Sequence, residues 1–353
     1  MSSQFDCTIR RGMKHSVVIG GAGFVGSWVV DEILKELDVH VTIIDNLISS
    51  ERNNISNDPR VQFVQGSASD IELLKSIQGK VDFVYQLACF HGNQNSIAKP
   101  LEDFENGLKT TLVTLEWVRE NHPNARVLYA SAGCAVAEKT WDSPEPTVEK
   151  DATSLLHDSP YSISKITGEM YCAYYTFQHS IDIVRVRFQN VYGPREILGA
   201  GDWRGTESTI WRNVVPTFIY RTLKSQNLVV NPRASRDFIY VADLVYGISL
   251  AMEKGKSGSV YNLGSGKEVM ISNLAEKILD YLGSTKKIDL NYERDWDRSG
   301  RRLANIDKSK NELGFIPQTS VDEGIAKTID WFKLNLEIID KCVNKNFFSE
   351  KPR

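Results

Sequence analysis

Tyr161 and Lys165 stand four residues apart in the segment SPYSISKITGEMYCAYY, residues 159–175. On a helix this spacing places both side chains on one face. A lysine ammonium beside a phenol favours the phenolate and lowers the phenol pKa from its ordinary value of about 10. A phenolate in reach of a hydroxyl group can accept its proton while a hydride leaves the adjoining carbon. The pair therefore predicts a proton-transfer site that works together with a hydride acceptor.

A glycine-rich turn near the N-terminus predicts where such an acceptor binds. HSVVIGG (15–21) reads as a strand, and FVGSWVVDEILKEL (24–37) has apolar residues at helical spacing. Between them, Gly20, Gly23 and Gly26 form a G-x-x-G-x-x-G turn. Because these residues lack side chains, backbone N–H groups can approach a pyrophosphate at the helix N-terminus. The turn therefore predicts a dinucleotide site.

Asp45 distinguishes between the two nicotinamide dinucleotides. It ends the second strand, VHVTIID (39–45), at the distance from the turn that a dinucleotide site requires. Its carboxylate can accept hydrogen bonds from the adenosine ribose and would repel a 2′-phosphate, so NAD is predicted rather than NADP. Neighbouring positions at the turn and at the strand ends are predicted to line the same site: Phe24, Val25, Asn46, Leu87 and Ala88.

Strands alternate with helices over the first half of the chain, which implies a parallel sheet with helices on both faces. Further strands are predicted at 61–66, 81–88, 125–131 and 181–193, with helices at 70–77 and 110–121. We expect an α/β fold: a Rossmann-type doubly wound parallel sheet with a smaller C-terminal α/β substrate-binding lobe. The predicted division assigns 1–190 to the cofactor domain, with 236–261 returning to it, and 191–235 and 262–353 to the lobe.

Composition excludes several classes of protein. The net charge of −3 over 353 residues gives no electrostatic reason to expect nucleic acid. The apolar runs are far shorter than the roughly 20 residues that a membrane span needs, and the polar N-terminus predicts no signal peptide. The five cysteines and six histidines lack the spacing of metal ligands, so we assign no metal. Reduced thiols favour a cytoplasmic protein.

Five motifs in order along the chain carry a family resemblance: GGAGFVG (20–26), Asp45, SPYSISK (159–165), RFQNVYGPRE (187–196) and RDFIYVADLV (236–245). Together they resemble the extended short-chain dehydrogenase/reductases, and more narrowly the NAD-dependent nucleotide-sugar epimerases and dehydratases. The chain is also similar to sugar-nucleotide epimerase/dehydratases of bacterial O-antigen clusters. The resemblance implies NAD, a nucleotide-diphosphate sugar substrate, a role in surface polysaccharide precursor synthesis, and a homodimer formed through helices at 110–121 and 161–178.

The same resemblance implies roles for further residues. Asn106 matches a position near the cofactor, and Ser67 and Ala68 match a pair that contacts adenine. On the substrate side it implies contacts to the sugar or its diphosphate for Asn190, Asn213, Arg236 and Arg301. An arginine fork suits a diphosphate. His91, in a loop that should border the sugar, can donate a proton or simply hold that loop by hydrogen bonds.

The end of the strand ARVLYAS departs from the family pattern, which places there a Ser or Thr that hydrogen-bonds the reacting hydroxyl. Ala132 or Gly133 falls on that position, depending on the direction of counting. Ser131 takes the role only if the turn is rearranged. Because Gly133, Cys134 and Ala135 follow instead of an Asp-Glu pair, a standard 4,6-dehydratase is disfavoured.

The turn around Cys134 also resembles that of the GDP-mannose 3,5-epimerases, in which a cysteine acts as an acid/base. Their partner lysine aligns with Arg204 of DWRGT (202–206). This resemblance implies that Cys134 exchanges a proton at C3 or C5 of a C4-ketone, a role that needs a thiolate. Arginine hardly titrates, so Arg204 would stabilise an enolate or bind phosphate. The alternative for Cys134 is packing against the sheet.

The sequence thus predicts an NAD-dependent nucleotide-sugar epimerase that oxidises C4 transiently with Tyr161 and Lys165. C3/C5 proton exchange at Cys134 is a further feature of this hypothesis. The alternatives are a 4,6-dehydratase or a C4 dehydrogenase, and a non-catalytic NAD-binding regulator on the same fold.

Overall fold

The computed structural model describes residues 12–90, 92–136, 141–143, 145–150, 155–201, 213–290 and 300–348. Its strands are β1 Lys14–Ile19, β2 Val39–Asp45, β3 Val61–Gln65, β4 Phe83–Gln86, β5 Arg126–Ala132, β6 Ile183–Phe188, β7 Asn190–Tyr192, β8 Leu228–Val229, β9 Ser235–Tyr240, β10 Val260–Leu263, β11 Glu268–Met270 and β12 Ile288–Asp289. Its α-helices are α1 Phe24–Ile33, α2 Ile71–Lys75, α3 Asn93–Ala98, α4 Pro100–Asp103, α5 Thr110–Asn121, α6 Pro160–His179, α7 Val214–Leu223, α8 Val241–Lys254, α9 Ile271–Tyr281 and α10 Val321–Phe348. A π-helical turn, Phe104–Lys109, joins α4 to α5.

The main sheet is parallel and buried on both faces. In the described residues its strand order is β10-β6-β5-β4-β1-β2-β3, and each neighbouring pair is parallel. Successive side chains of a strand point to opposite faces. In β1, Val18 therefore joins one hydrophobic core while Val17 and Ile19 join the other. The predicted doubly wound parallel sheet is confirmed.

The strand order reverses beside β1. The chain runs outward from β1 through β2 to β3, then crosses back to β4 on the other side of β1. Such a switch point leaves a crevice at the carboxyl ends of the strands, where open α/β sheets bind ligands. The glycine turn after β1 and the chain after β4 both lead into this crevice.

The chain that follows β6 contributes strands to a second sheet. It has the order β11-β9-β7, and a short pair joins β12 to β8. In the predicted returning segment 236–261, β9 pairs with β7 and β11, whereas β10 lies beside β6 in the main sheet. The division into a cofactor domain and a substrate lobe stays a prediction. Among the described helices, none combines the length and the apolar character that crossing a membrane would require.

Candidate active site

A cavity of about 800 Å³ opens at the carboxyl ends of the main strands. This volume lies within the range of roughly 300–1,000 Å³ that is usual for ligand sites. All of the residues predicted to bind the cofactor line it, as do the four predicted catalytic residues. Of the predicted substrate residues, Asn190, Asn213 and Arg236 line it as well. His91 and Arg204 lie outside the described residues.

The glycine turn is held by close backbone contacts. Gly20 has φ +84°, and a Cβ there would lie 2.8 Å from the Ala88 nitrogen. A Cβ on Gly26 would overlap the Gly20 carbonyl oxygen. Gly23 is the N-cap of α1 and has no side chain to cap it, so the first N–H groups of this helix are available to a ligand in the cavity. The turn therefore has the geometry that a pyrophosphate needs.

Asp45 braces this turn from the end of β2. Its Oδ2 accepts the Ala22 N–H at 3.1 Å, and its Oδ1 accepts the Leu47 N–H at 2.9 Å and the Ser50 hydroxyl at 2.8 Å. Burial raises the pKa of Asp45, and these hydrogen bonds oppose the rise. The carboxylate thus joins the glycine turn to the loop after β2.

A second polar link in the cavity lining joins the loop after β2 to the chain before α5. Asn46 Nδ2 donates to Asn106 Oδ1 at 3.0 Å, and Asn106 Nδ2 donates to the Glu102 carbonyl at 2.9 Å. The loop after β2 is thereby tied to the π-helical turn before α5. The two asparagines that the sequence assigned separately to the cofactor lie in one hydrogen-bonded pair.

The start of α6 delivers Tyr161 into the cavity. Ser159 is the N-cap, and its hydroxyl accepts the Ser162 N–H at 3.3 Å, while Pro160 occupies the first turn. Proline suits this position because the N–H that it lacks would have no partner within the helix. The Tyr161 N–H donates to Ser96 Oγ at 3.0 Å. Tyr161 is therefore fixed at the first turn of a well-capped helix.

Lys165 lies one turn further along, against the end of β5. Its buried ammonium donates to the Ala130 carbonyl at 2.7 Å and lies 5.7 Å from the centre of the Tyr161 ring. Burial raises the pKa of Tyr161 well above its ordinary value, and the nearby Cys89 and Cys134 thiols add to the rise. The direction is opposite to the lowering that the sequence predicted from the lysine alone, because burial outweighs it.

The Ser131 side chain points to the face of the sheet that packs against α6. It is buried, and its hydroxyl donates to Glu169 Oε1 at 2.5 Å. The same carboxylate forms an ion pair with the Arg187 guanidinium. The hydroxyl that the sequence offered as a replacement for the family Ser/Thr thus belongs to a buried ionic network.

Cys134 follows Ser131 in a short 3₁₀ turn, Gly133–Ala135. It is partly exposed, and its sulfur accepts the Ser162 hydroxyl at 3.7 Å, next to Tyr161 in sequence. A Cβ on Gly133 would overlap the Gln189 side-chain amide. The close passage of the Gln189 side chain therefore explains why residue 133 is a glycine.

Cys89 is a cavity residue that sequence reasoning missed. It lies just beyond β4, is partly exposed, lines the cavity and contributes to the raised pKa of Tyr161. Its position after a strand of the parallel sheet is the signal that could have identified it, because such positions face the ligand crevice.

On the opposite side of the cavity, three predicted residues come together from β7, α7 and β9. Asn190 Nδ2 donates to the Asp237 carbonyl at 3.4 Å, and Asn213 Nδ2 donates to Glu196 Oε1. The mostly buried Arg236 donates to the Ser235 carbonyl at 2.7 Å. The arrangement places amide and guanidinium donors on one wall, where an anionic ligand would find them.

The arginines of the C-terminal segment are distributed differently from the prediction. Arg301 makes a two-pronged ion pair with Glu268, at 2.8 Å and 2.7 Å, and so its charge is neutralised. Among the described lining residues, the arginines are Arg221, Arg236 and Arg302. The cavity therefore receives Arg302 where the sequence assigned Arg301, and Arg221 of α7 was not predicted.

Comparison with known proteins agrees with this geometry. The chain matches the NAD dependent epimerase/dehydratase family over residues 16–264. The Bordetella bronchiseptica enzyme WbmF, crystallised with NAD⁺ and UDP, superposes with a TM-score of 0.83 at 44% identity, over 94% of this chain and 96% of that one. The UDP-glucose 4-epimerase of Thermotoga maritima, crystallised with UDP-glucose, has a TM-score of 0.82 at 28% identity, over 91% and 99%. The dTDP-glucose 4,6-dehydratase of an Actinoplanes species is 28% identical over 333 residues, 90% of this chain and 98% of its own length.

A doubly wound sheet with a glycine turn and a Tyr-Lys pair at its crevice defines an NAD-dependent enzyme of the short-chain type. The chain belongs to the NAD dependent epimerase/dehydratase family. The predicted family, the enzyme class and the NAD cofactor are confirmed.

Proposed function

We propose that this protein is an NAD-dependent epimerase of a UDP-sugar that works through transient oxidation at C4. The observation that carries the proposal is that one cavity is lined by the Tyr161–Lys165 pair, by the glycine turn and by Arg236. Similarity to WbmF, crystallised with NAD⁺ and UDP, and to a UDP-glucose 4-epimerase supports uridine as the nucleotide.

The residues present fit the cofactor. Gly20 and Gly26 allow a tight turn that any Cβ would disrupt by clashing with the backbone, and the uncapped start of α1 provides N–H donors for the pyrophosphate. We assign Asp45, Asn46, Ser67 and Ala68 to the adenosine half, with Asn106 beside them. The nicotinamide half is assigned to the chain after β4, beside Tyr161. When bound, NAD supplies the hydride acceptor and a positively charged ring beside the phenol.

In this proposal Tyr161 accepts the proton of the C4 hydroxyl and later returns it. Burial raises the pKa of Tyr161 and disfavours the phenolate, so the phenolate that accepts this proton needs stabilisation by nearby positive charge. Lys165, held on the Ala130 carbonyl, supplies part of that charge. Asn190, Asn213 and Arg236 would hold the sugar diphosphate, and return of the hydride to the opposite face of the C4 ketone would invert C4.

A second feature of the proposal is proton exchange at C3 or C5 by Cys134. The C4 ketone acidifies these neighbouring positions, and the partly exposed Cys134 lies in the cavity beside Ser162 and Tyr161. The sequence-based partner Arg204 stays a prediction. If Cys134 only packs, the enzyme is a simple 4-epimerase.

The distribution of carboxylates argues against a 4,6-dehydratase. Among the described residues that line the cavity, the carboxylates are Asp45 and Glu196. Asp45 braces the glycine turn, and Glu196 accepts the Asn213 amide on the opposite wall. Elimination of water would need an acid/base pair at the end of β5, where Gly133, Cys134 and Ala135 stand instead.

A homodimer is proposed from an apolar stripe on α6. Ile163, Met170, Tyr174 and Phe177 are 49%, 59%, 54% and 89% exposed. Their spacings of seven, four and three residues place them on one helix face. A contiguous exposed apolar surface of this kind marks an interaction site, and a two-fold pairing of α5 and α6 with the same helices of a second copy would cover it.

The setting of the enzyme is also a proposal. No disulfide joins the cysteines of the described residues, as expected in a reducing cytoplasm. The role in surface polysaccharide precursor synthesis rests on the resemblance of sequence motifs to enzymes of O-antigen clusters.

The test uses the NAD⁺-loaded enzyme, a panel of UDP-sugars in D₂O, NMR of the sugar protons, and absorbance at 340 nm. An epimerase inverts a sugar centre and leaves no accumulated NADH, whereas a dehydrogenase accumulates it. Deuterium entering at C3 or C5 in the wild type, and lost in Cys134→Ala, supports the thiol as acid/base. No change with any sugar in the wild type would refute the proposed function and favour the regulator.

A further inference from the structure

An unusual polar layer separates the main sheet from α6. Parallel sheets covered on both faces are ordinarily apolar. Here β5 turns Tyr129 and Ser131 toward α6, and the residues directly opposite them in β6 are Arg185 and Arg187. Strand periodicity places all four on one face of the sheet. The layer lies directly behind the catalytic end of β5.

Glu169 of α6 joins these side chains. It is 2% exposed and accepts the Ser131 hydroxyl at 2.5 Å, the Arg187 Nε at 2.8 Å and the Arg187 Nη2 at 2.9 Å. Arg185 approaches its second oxygen at 3.9 Å and donates to its carbonyl at 3.3 Å. Arg187 also donates to the Glu149 carbonyl at 3.2 Å. The carboxylate is thus fully engaged by two neighbouring strands.

The position of Glu169 on α6 connects this network to the reaction. Tyr161, Lys165 and Glu169 follow one another at intervals of four residues, so they lie on one face of the helix. Lys165 is joined to β5 twice, by its ammonium on the Ala130 carbonyl at 2.7 Å and by its own carbonyl, which accepts the Tyr129 hydroxyl at 3.1 Å. Any movement of Glu169 along β5 therefore moves the catalytic pair.

Buried ion pairs contribute little net stability compared with apolar residues of the same size, because both charges lose their hydration. A pair broken on one side is strongly destabilising. A slip of α6 by one turn, about 5.4 Å, would separate Glu169 from both strands and leave its charge uncompensated. The network therefore penalises wrong registers of α6 much more than it stabilises the right one.

We propose that Glu169 and Arg187 are positioning residues that fix the register of α6 along β5 and β6. They thereby keep Tyr161 and Lys165 level with the Cys134 turn along β5. Ser131, which donates to Glu169, is part of the same hydrogen-bond network. The inference rests on the proposed function, which gives the register its catalytic purpose.

The experiment compares Glu169→Gln with the double variant Glu169→Met/Arg187→Met, which replaces the pair by apolar side chains. Glu323→Gln is the matched control, since Glu323 pairs with Lys327 on the surface of α10. Three quantities are measured: the thermal midpoint, kcat and KM on the UDP-sugar that the wild type converts, and the ionisation of Tyr161. The last is the ultraviolet difference at 295 nm between each NAD⁺-bound variant and its Tyr161→Phe counterpart, and it needs no sugar substrate.

We expect Glu169→Gln to lower both the midpoint and kcat. In the double variant the midpoint should recover, whereas kcat should stay about 10- to 100-fold low, as displacement of reacting groups by about 1 Å predicts. KM should change little, and the Tyr161 ionisation should move to higher pH as Lys165 loses its fixed place. The control should match the wild type in all three.

Wild-type kcat and Tyr161 ionisation in the double variant would overturn the inference, because the network would then be structural only. A wild type that converts no UDP-sugar refutes the proposed function instead. In that case the Tyr161 ionisation still decides whether Glu169 and Arg187 position the phenol.

Discussion

Acidification should destabilise the fold through His15, at the amino end of β1. His15 is 1% exposed, its Nε2 lies 2.9 Å from Thr42 Oγ1, and its ring centre lies 4.9 Å from that of His40. Burial, with the neighbouring His40 as the next cause, lowers the pKa of His15 from 6.5 to about 4. Burial also lowers the pKa of His40. A proton therefore binds the unfolded chain more readily than the folded one.

The sign and size follow from this difference. The stabilisation by neutral His15 is fully present above pH 6.5 and is lost as the pH falls toward about 4. Between pH 7 and pH 5, His15 alone should lower the free energy of unfolding by about 2 kcal/mol. At pH 4 and below, the loss should approach about 3 kcal/mol.

The assay is urea denaturation at pH 7 and pH 5, for the wild type, His15→Asn and the control His179→Asn. Asparagine can keep a hydrogen bond to Thr42 without titrating, and His179 is exposed at the end of α6. Carboxylates other than Asp82, which interacts with His15, and Glu116, which interacts with His179, contribute equally to all three proteins. The difference in pH dependence therefore reports mainly on the substituted histidine. The same pH dependence in His15→Asn as in the wild type would refute the reasoning.

Three further predictions concern the cavity and the surface. Gly20→Ala should weaken NAD binding by more than about tenfold, because it adds both positive-φ strain and a clash with Ala88. The control is Gly283→Ala, at a position with φ +59° and open space around it. Titration calorimetry with NAD should show no change in affinity for this control. Arg236→Lys should weaken UDP binding by about 10- to 100-fold and leave NAD binding unchanged, whereas equal losses for both ligands would contradict the assignment. Phe177→Glu should halve the mass found by light scattering, while the equally exposed Leu334→Glu should not; a wild-type monomer would exclude the dimer.

Local sequence signals were enough to predict that the glycine turn and the end of β2 line the cavity. The spacing of Gly20, Gly23 and Gly26 and the position of Asp45 depend on a single βαβ unit, so short-range pattern is enough to read them. The Tyr161–Lys165 pair depends on one helix. The parallel sheet followed from alternation alone, and these elements lie where the sequence placed them.

Features that need several distant elements could not be predicted. The partner of Ser131 comes from α6 and is shared with β6, and no local spacing links Ser131, Glu169 and Arg187. Burial reversed the expected direction of the Tyr161 pKa, and burial is not visible in a four-residue motif. Arg301 pairs with Glu268 of β11, whereas its neighbour Arg302 pairs with Asp158 and lines the cavity, and neither partner is near in sequence.

The charges of the cavity bear on whether the protein catalyses a reaction or only binds NAD. Its described lining holds four cations, Lys165, Arg221, Arg236 and Arg302, against the carboxylates of Asp45 and Glu196. In the proposed function, backbone N–H groups at the glycine turn hold the pyrophosphate of NAD, and this contact needs no cation. Two of these arginines already have partners within the protein, since Arg302 pairs with Asp158 at 3.6 Å and Arg236 donates to the Ser235 carbonyl at 2.7 Å. The excess of cations over carboxylates in the described lining nonetheless favours a second anionic ligand, which a regulator that binds NAD alone would not need.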